Sequence, residues 1–183
     1  MNRLIVAILC TFLLGTSIAS AQDREGGIRD TSQHQRPQGI SGMLYVPWIY
    51  GIGVGVNLRY EIPVVKDGFI PSINDQFSIE PSLSLSYRSY GRYGGDLKFF
   101  DISPAVYATW SFHITPKFRP YGAVGIGYGA EIWLNDDDFD NDYDTGYFYW
   151  DVAAGLFYNF SPSLAFRGEI GGRGPKAGLH WYF

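Results

Sequence analysis

Apolar and polar side chains alternate with a period of two over most of the chain after residue 38. From Tyr50 to Ile62 every even position is aromatic or aliphatic, and every odd position is Gly, Asn, Arg or Glu. Because successive side chains of a β-strand point to opposite sides, this pattern predicts a strand with one large apolar face and one small or polar face. Six further runs predict six more strands, over residues 77–88, 101–113, 119–132, 150–160, 164–171 and 176–183.

The two faces of these strands distinguish a membrane barrel from a soluble β-sandwich, which also alternates but turns its apolar face inward. The polar face here carries Gly, Ser, Ala and paired charges, which suit the narrow interior of an eight-stranded barrel. Aromatic residues make up 17% of the chain, and those at the ends of the apolar face match the two interfacial girdles of a membrane barrel. They are Tyr50, Tyr60, Tyr87, Trp110, Phe112, Trp133, Trp150, Phe160, Trp181 and Phe183. The sequence therefore predicts an all-β fold, an eight-stranded antiparallel up-and-down transmembrane β-barrel.

Loop lengths give the strands a direction and indicate where the eighth strand lies, since single-chain bacterial barrels have even strand numbers. Short turns near 113–117 and 160–163 are typical of the periplasmic end, and the longer polar loops Ser89 to Leu97 and Leu134 to Gly146 of the outer end. With the C-terminus in the periplasm, the strand that begins at Tyr50 runs inward, so a strand before it must run outward. Gly39 to Pro47 is the segment that can supply it.

The first 38 residues precede the alternating pattern and divide into two segments. Residues 1–21 combine a positive Arg3, an apolar stretch and the small-x-small motif ASA at 19–21, which predicts a cleaved signal peptide. Residues 22–38 are polar and aperiodic, which predicts a flexible periplasmic lead-in to a barrel over residues 39–183. Cleavage removes Arg3 from the 14 basic residues, so 13 face 18 acidic residues and the net charge becomes −5. This acidic balance disfavours a nucleic-acid partner.

The alternating strands, the glycine-rich segment YGAVGIGYG at 121–129 and the end of the chain resemble the outer membrane protein beta-barrel domain family, whose members include small eight-stranded porin-like proteins. The tail is the most specific part, since Leu179, Trp181 and Phe183 match the family's assembly signal, a terminal aromatic residue with apolar residues at alternate positions before it. The resemblance covers residues 39–183. It implies a place in the bacterial outer membrane, contact with its lipid and lipopolysaccharide, and recognition of the C-terminal strand by the barrel-assembly machinery. It carries over no catalytic residue and no cofactor.

Charged residues on the predicted inner face must pair or bind water, because a buried charge that loses its partner costs about 3–5 kcal/mol. We interpret them as a network of salt bridges that fills the barrel. The alternative is a charged constriction in a narrow pore, which the glycines of the same face favour because they leave space. The network comprises Arg59, Glu61, Glu80, Arg88, Asp101, Arg119, Glu131, Asp151, Arg167 and Glu169.

The densest charge run is NDDDFDNDYD at 135–144, which holds six aspartates. Hard cations such as calcium bind several oxygen ligands, so this segment is a candidate site for divalent cations. It lacks the glycine and the distal glutamate of an EF-hand loop. We interpret it as a solvated outer loop of mutually repelling carboxylates, with contact to divalent cations or to surface sugars as the alternative.

Ser111 and His113 lie two residues apart on one predicted face, and a serine–histidine pair is the starting point of acyl transfer. Some small barrels modify lipid A in this way at the outer leaflet, whereas this pair belongs beside a predicted periplasmic turn. The sequence thus favours a non-enzymatic outer-membrane barrel with a structural, surface-contact or adhesion role. A narrow pore for small solutes is the second hypothesis, and a lipid A-modifying enzyme is the third.

Overall fold

The computed structural model describes residues 26–32, 36–48, 52–91, 96–134 and 145–183. They contain eight strands that form a closed antiparallel barrel in which every strand pairs with its neighbours in the sequence. No helix in these residues is long and apolar enough to cross a membrane. The strands are β1 Gly39–Tyr45, β2 Ile52–Val65, β3 Asp75–Gly91, β4 Asp96–Phe112, β5 Phe118–Trp133, β6 Thr145–Ser161, β7 Leu164–Gly171 and β8 Gly174–Tyr182.

The predicted eighth strand exists and closes the barrel. β1 pairs with β2 from Gly39 opposite Glu61 to Tyr45 opposite Gly55, and on its other side it pairs with β8 over the same seven residues. Neither edge of β1 is therefore left without a partner. In lipid this matters because unpaired backbone groups cost several kcal/mol each, which only helices and closed barrels avoid.

The predicted outer loop at residues 89–97 is wrong in its extent. The ladder between β3 and β4 continues to Gly91 opposite Asp96, which leaves only residues 92–95 between the two strands. The apolar alternation ends earlier, because Ser89 and Lys98 face each other on the outside of the barrel. A ladder needs only backbone partners, so it can extend past the point at which the outer face stops being apolar.

The outward face of the barrel is apolar and the inward face is polar, as the alternation predicts. Val54, Ile126 and Trp150 are 60%, 72% and 76% exposed, whereas their sequence neighbours on the inner face are buried or half-buried. Aromatic pairs lie on the outer face near both ends, such as Tyr158 with Phe160 and Tyr128 with Phe148. Of the predicted girdle residues, Tyr50 lies outside the described part of the chain.

The two ends of the barrel differ in shape. At the end we call the terminal end, turns 66–74, 113–117 and 162–163 lie together with residues 36–38 and Phe183. The opposite, loop end carries the four other connections, and its rim is uneven. Gly171 pairs with Gly174 across a tight turn and with Ala153 of β6, so β6 continues for eight residues beyond the β7–β8 turn.

Part of the predicted lead-in contacts the terminal end of the barrel. Asn74 donates from its backbone N–H to the carbonyl of Ile28 at 2.7 Å and from its side chain to the carbonyl of Gly27 at 3.1 Å. Arg36 reaches the carbonyl of Lys66 at 3.0 Å. The predicted cleavage after residue 21 and residues 22–25 and 33–35 lie outside the described residues.

Closure at the β1–β8 seam predicts a strong effect of a single methyl group. In the variant Gly178→Ala the new Cβ would collide with the carbonyl oxygen of Gly42 on β1, and backbone cannot move away cheaply. The control Gly122→Ala places its Cβ in open space. We expect unheated wild type and G122A to migrate in detergent gels as a compact form, which boiling converts to the unfolded form. G178A should lose the compact form at a lower temperature. Equal thermal stability of the two variants would contradict the pairing of β1 with β8 at Gly178.

Candidate functional site

Two arginines and two glutamates form the centre of the barrel interior. Arg59 on β2 binds Glu169 on β7 with two hydrogen bonds, from NH1 to Oε2 at 2.7 Å and from NH2 to Oε1 at 3.1 Å. Arg167 on β7 donates to Glu80 Oε2 on β3 at 2.7 Å. All four side chains have 0% exposure. Because β7 lies across the interior from β2 and β3, these bonds span the lumen.

Hydroxyl groups and a lysine complete this central cluster. Arg167 also donates to Ser41 Oγ and to the hydroxyl of Tyr121, both at 3.0 Å. Tyr121 in turn donates to Glu169, and Lys176 Nζ lies 2.5 Å from the same carboxylate. A buried ion pair stabilises a protein only when further hydrogen bonds satisfy its remaining polar atoms. The hydroxyl groups and Lys176 supply several of these bonds, whereas Arg59 Nε and Glu80 Oε1 make none to a described atom.

A second cluster lies towards the terminal end. Arg119 on β5 binds Glu61 on β2 through both terminal guanidinium nitrogens, at 2.8 and 2.9 Å. Gln76 donates to the same carboxylate at 2.8 Å, and the guanidinium lies 3.9 Å from the ring centre of Phe157. A flat guanidinium suits both a two-pronged carboxylate contact and stacking on a ring, so lysine could not replace Arg119 here.

A third cluster, towards the loop end, centres on Asp101. Arg88 and Arg173 lie 3.3 and 3.0 Å from its Oδ1 atom, and Tyr147 donates to Oδ2 at 2.6 Å. Asp151, nearby on β6, accepts from the hydroxyl of Tyr107 at 2.9 Å. The two arginines share this one carboxylate, and Arg173 NH1 and Asp151 Oδ1 make no hydrogen bond to a described atom.

Aromatic rings occupy the space that the inner-face glycines leave. A Cβ at Gly125 would overlap the ring of Tyr107, and one at Gly155 would overlap the ring of Tyr121. Arg59 then stacks over Tyr107 at 3.9 Å from its ring centre. The glycines therefore make room for tyrosine rings and arginines in the lumen.

The ten charged residues of the predicted network lie on the inner face. Nine belong to the three clusters, and Glu131 is half-buried and lies opposite Asp101 in the β4–β5 register. The sequence reasoning left out Arg173 and Lys176. Lys176 follows the inner-face alternation of β8 and could have been included, whereas Arg173 lies in a turn, where alternation gives no direction.

The predicted serine–histidine pair is not arranged as a nucleophile and its base. Ser111 Oγ is buried and has no hydrogen-bond partner among the described atoms. The Nε2 atom of His113 lies 3.0 Å from Arg36 NH1. Burial lowers the pKa of Arg36 to about 10, so its guanidinium still donates at neutral pH and the imidazole nitrogen must accept. That nitrogen is therefore occupied by Arg36.

Two predicted features lie at the surface. Leu179, Trp181 and Phe183 are 38%, 44% and 68% exposed on the outside of β8 and just beyond it, at the terminal end. The acidic segment 135–144 lies outside the described residues. Within the described ranges, no group of three or more His, Cys, Asp or Glu side chains is placed to hold a metal ion.

Comparisons with known proteins identify relatives of this barrel. A family model described as outer membrane protein beta-barrel domain matches residues 11–176. The attachment invasion locus protein Ail of Yersinia pestis is similar in structure, with a TM-score of 0.52, 18% identity, and coverage of 81% of this chain and 100% of that one. Neisserial surface protein A gives a TM-score of 0.51 and 12% identity over 80% of this chain and 95% of that one. A search of the curated proteins finds no significant match.

The pairing of Arg119 with Glu61 predicts a partial rescue. Arg119→Met strands a buried carboxylate and should lower the free energy of unfolding by about 3–5 kcal/mol, measured by urea unfolding from phospholipid vesicles. The double variant Arg119→Met/Glu61→Met removes both charges and should recover at least part of that loss. Lys98 is an exposed cation at the other end, and Lys98→Met should change the free energy of unfolding by about 0.5 kcal/mol or less. A double variant that is less stable than Arg119→Met would contradict the pairing.

Proposed function

Because the chain belongs to the outer membrane protein beta-barrel domain family, we propose that it is a non-enzymatic integral protein of the bacterial outer membrane whose role is envelope structure, surface contact or adhesion. The single observation that carries this proposal is the set of buried salt bridges that crosses the centre of the lumen. Arg59, Arg167, Glu80 and Glu169 are bonded across the interior with 0% side-chain exposure. A barrel filled in this way presents its outer surface and its rim as the places where function resides.

The narrow-pore hypothesis requires a continuous water path, and the salt bridges of the central cluster lie across the lumen where that path would run. Cavities exist near both ends: one of about 570 Å³ beside Arg173 at the loop end, and one of about 170 Å³ beside Arg119 at the terminal end. The four charged side chains of the centre lie between these levels. An ion would have to break at least one buried salt bridge to pass, which is costly because the partner is left unpaired.

The lipid-modifying hypothesis requires a nucleophile with a hydrogen-bonded base. Ser111 makes no such bond, and Arg36 occupies the histidine nitrogen. The pair also lies near the terminal end, which we place in the periplasm because turns 113–117 and 162–163 are there and the longest connection, residues 134–144, is at the opposite end. Both arguments favour a role without catalysis.

Surface contact is supported by the shape of the loop end, which we place outside the cell. Strands β3 to β6 rise above the low β7–β8 turn, and the six aspartates of segment 135–144 connect β5 to β6. Two barrels of similar structure have names that describe them as an attachment invasion locus protein and a surface protein. We further propose that outer-membrane lipid surrounds this barrel, that its tail meets the assembly machinery, and that divalent cations contact the acidic segment.

A filled lumen predicts that the protein conducts no ions in planar bilayers. Wild-type protein should give no discrete conductance steps above the leak of the lipid. A variant without the central charges should give steps, provided that its gel mobility still changes on boiling, because both the cations and their partners are gone. That variant combines Arg59→Ser, Glu80→Ser, Arg167→Ser and Glu169→Ser. Steps of equal size from wild type and variant would show that the centre is not the barrier.

A role in surface contact predicts that the acidic segment affects attachment. We would express the chain in a poorly adherent host and count bacteria bound to an epithelial cell layer. Replacing the six aspartates of 135–144 by asparagine should reduce bound cells several-fold, because their charge is removed while the barrel is unchanged. Arg36→Gln, a charge change at the opposite end, is the matched control. If bacteria that express the wild-type chain attach no better than the host alone, adhesion to this cell type is excluded as the role.

A further inference from the structure

The barrel wall has a notch beside the β7–β8 turn. The pairing of β6 with β7 ends at Ala153, which pairs with Gly171, the last residue of β7. Just above, the N–H of Gly172 still donates to the carbonyl of Val152 at 3.1 Å. Because residues two apart on a strand direct their backbone groups to the same side, those of Phe148 and Trp150 also point into the notch. Among the described residues, no strand pairs with β6 there.

The floor of the notch is a tight, fixed turn. Gly174 has a φ of 129°, which favours glycine, and the carbonyl of Gly172 accepts from the indole of Trp48 at 2.8 Å. These constraints hold Arg173 in place, with its side chain directed inward to Asp101. The turn therefore fixes a charged group at the base of an opening in the wall.

A cavity of about 570 Å³ occupies the notch, within the range of small-molecule sites. Its inner wall includes Arg88, Arg173 and Asp151. Its outer rim is formed by Phe148 and Trp150, which are 88% and 76% exposed on the lipid-facing side of β6. The cavity thus joins the polar interior to the apolar outer surface, so it fits a ligand with one polar and one apolar part.

Two buried polar atoms in this cavity lack a partner. Arg173 NH1 and Asp151 Oδ1 make no hydrogen bond to a described atom, although the two residues are only 8% and 2% exposed. The first can only donate and the second can only accept. A ligand that satisfies both must itself accept and donate, and a hydroxyl group does both.

The two free atoms decide against a simple ion. Arg88, Arg173 and Asp151 line the cavity, and their salt-bridge partners are Asp101 and Lys176, so three positive charges face two negative ones and the net charge is +1 (3 − 2). A phosphate would meet the free oxygen of Asp151, and an ammonium group would meet the free nitrogen of Arg173. A neutral ligand with several hydroxyl groups meets neither penalty.

We propose that this notch binds the sugar headgroup of a glycolipid from the outer leaflet of the membrane. The sugar hydroxyls donate to Asp151 Oδ1 and accept from Arg173 NH1, while backbone groups of Trp150 offer further hydrogen bonds at the open strand edge. The acyl chain lies outside, along Trp150 and Val152. The inference depends on the proposed orientation of the barrel, with the loop end outward, but not on whether the lumen conducts.

The test follows backbone amide resonances of the labelled protein in dodecylphosphocholine micelles. Octyl glucoside is added as a minor fraction of the detergent, and octylphosphocholine, which has the same chain without a sugar, is added to a matched sample. We expect saturable shifts at residues 147–152 and 171–174 with octyl glucoside only. Free glucose should bind far more weakly than octyl glucoside, because it lacks the alkyl chain. If free glucose binds equally well, the ligand is a free sugar and not the headgroup of a glycolipid.

Variants separate the notch from general detergent effects. Arg173→Gln and Asp151→Asn should each weaken octyl glucoside binding about tenfold, the effect of losing one hydrogen bond to a charged group. Gly172→Leu fills the mouth next to Asp151 without removing a charge and should abolish binding. Lys98→Gln, an exposed cation on β4, is the matched control and should bind like wild type.

Three results would overturn the proposal. The first is equal binding by wild type and Gly172→Leu, which keeps the charged residues and so remains informative if Arg173→Gln fails to fold. The second is a set of shifts spread over the whole outer face, which indicates unspecific detergent contact. The third is an added extended peptide that shifts residues 147–152 while octyl glucoside does not, because the open edge would then be a site for strand addition.

Discussion

Backbone pairing between β1 and β8 is the constraint on which the other features of this molecule depend. A sheet in lipid cannot leave an edge unpaired, and the seven residues of β1 supply partners to both β2 and β8. Closure with eight strands leaves an interior only wide enough for side chains. Charges on the inner face are then sealed from both lipid and water, so they must find partners across the lumen.

The interior meets that requirement with arginine, carboxylates and tyrosine hydroxyls together. Arg167 contacts Glu80, Ser41 and Tyr121, and the glycine at 155 leaves the space that the ring of Tyr121 occupies. Towards the loop end, two arginines share Asp101 and the wall is open beside β6. Salt bridges across the centre and an opening at one rim thus arise from the same strands, and the opening is where a ligand can enter.

Most of the fold could be predicted from the sequence because period two is a local signal. Even the weakly patterned β1 followed from strand parity, which requires a partner for β2. The end of the β3–β4 ladder could not be predicted, because Ser89 and Lys98 continue the backbone ladder without apolar side chains. Partners such as Arg59 and Glu169 could be assigned to one face but not to each other, since they lie on strands that are not neighbours. Arg173 was missed because a turn residue has no alternation to orient it.

The central claim is that the charges in the middle of the lumen are paired and dry. The most direct measurement is the exchange of the guanidinium protons of Arg59 and Arg167 with water, followed by magnetic resonance in lipid nanodiscs. The structure predicts slow exchange for both, far slower than for the exposed Arg29 in the same sample. Fast exchange at Arg59 and Arg167, comparable with that of Arg29, would mean that water fills the lumen and would contradict the account.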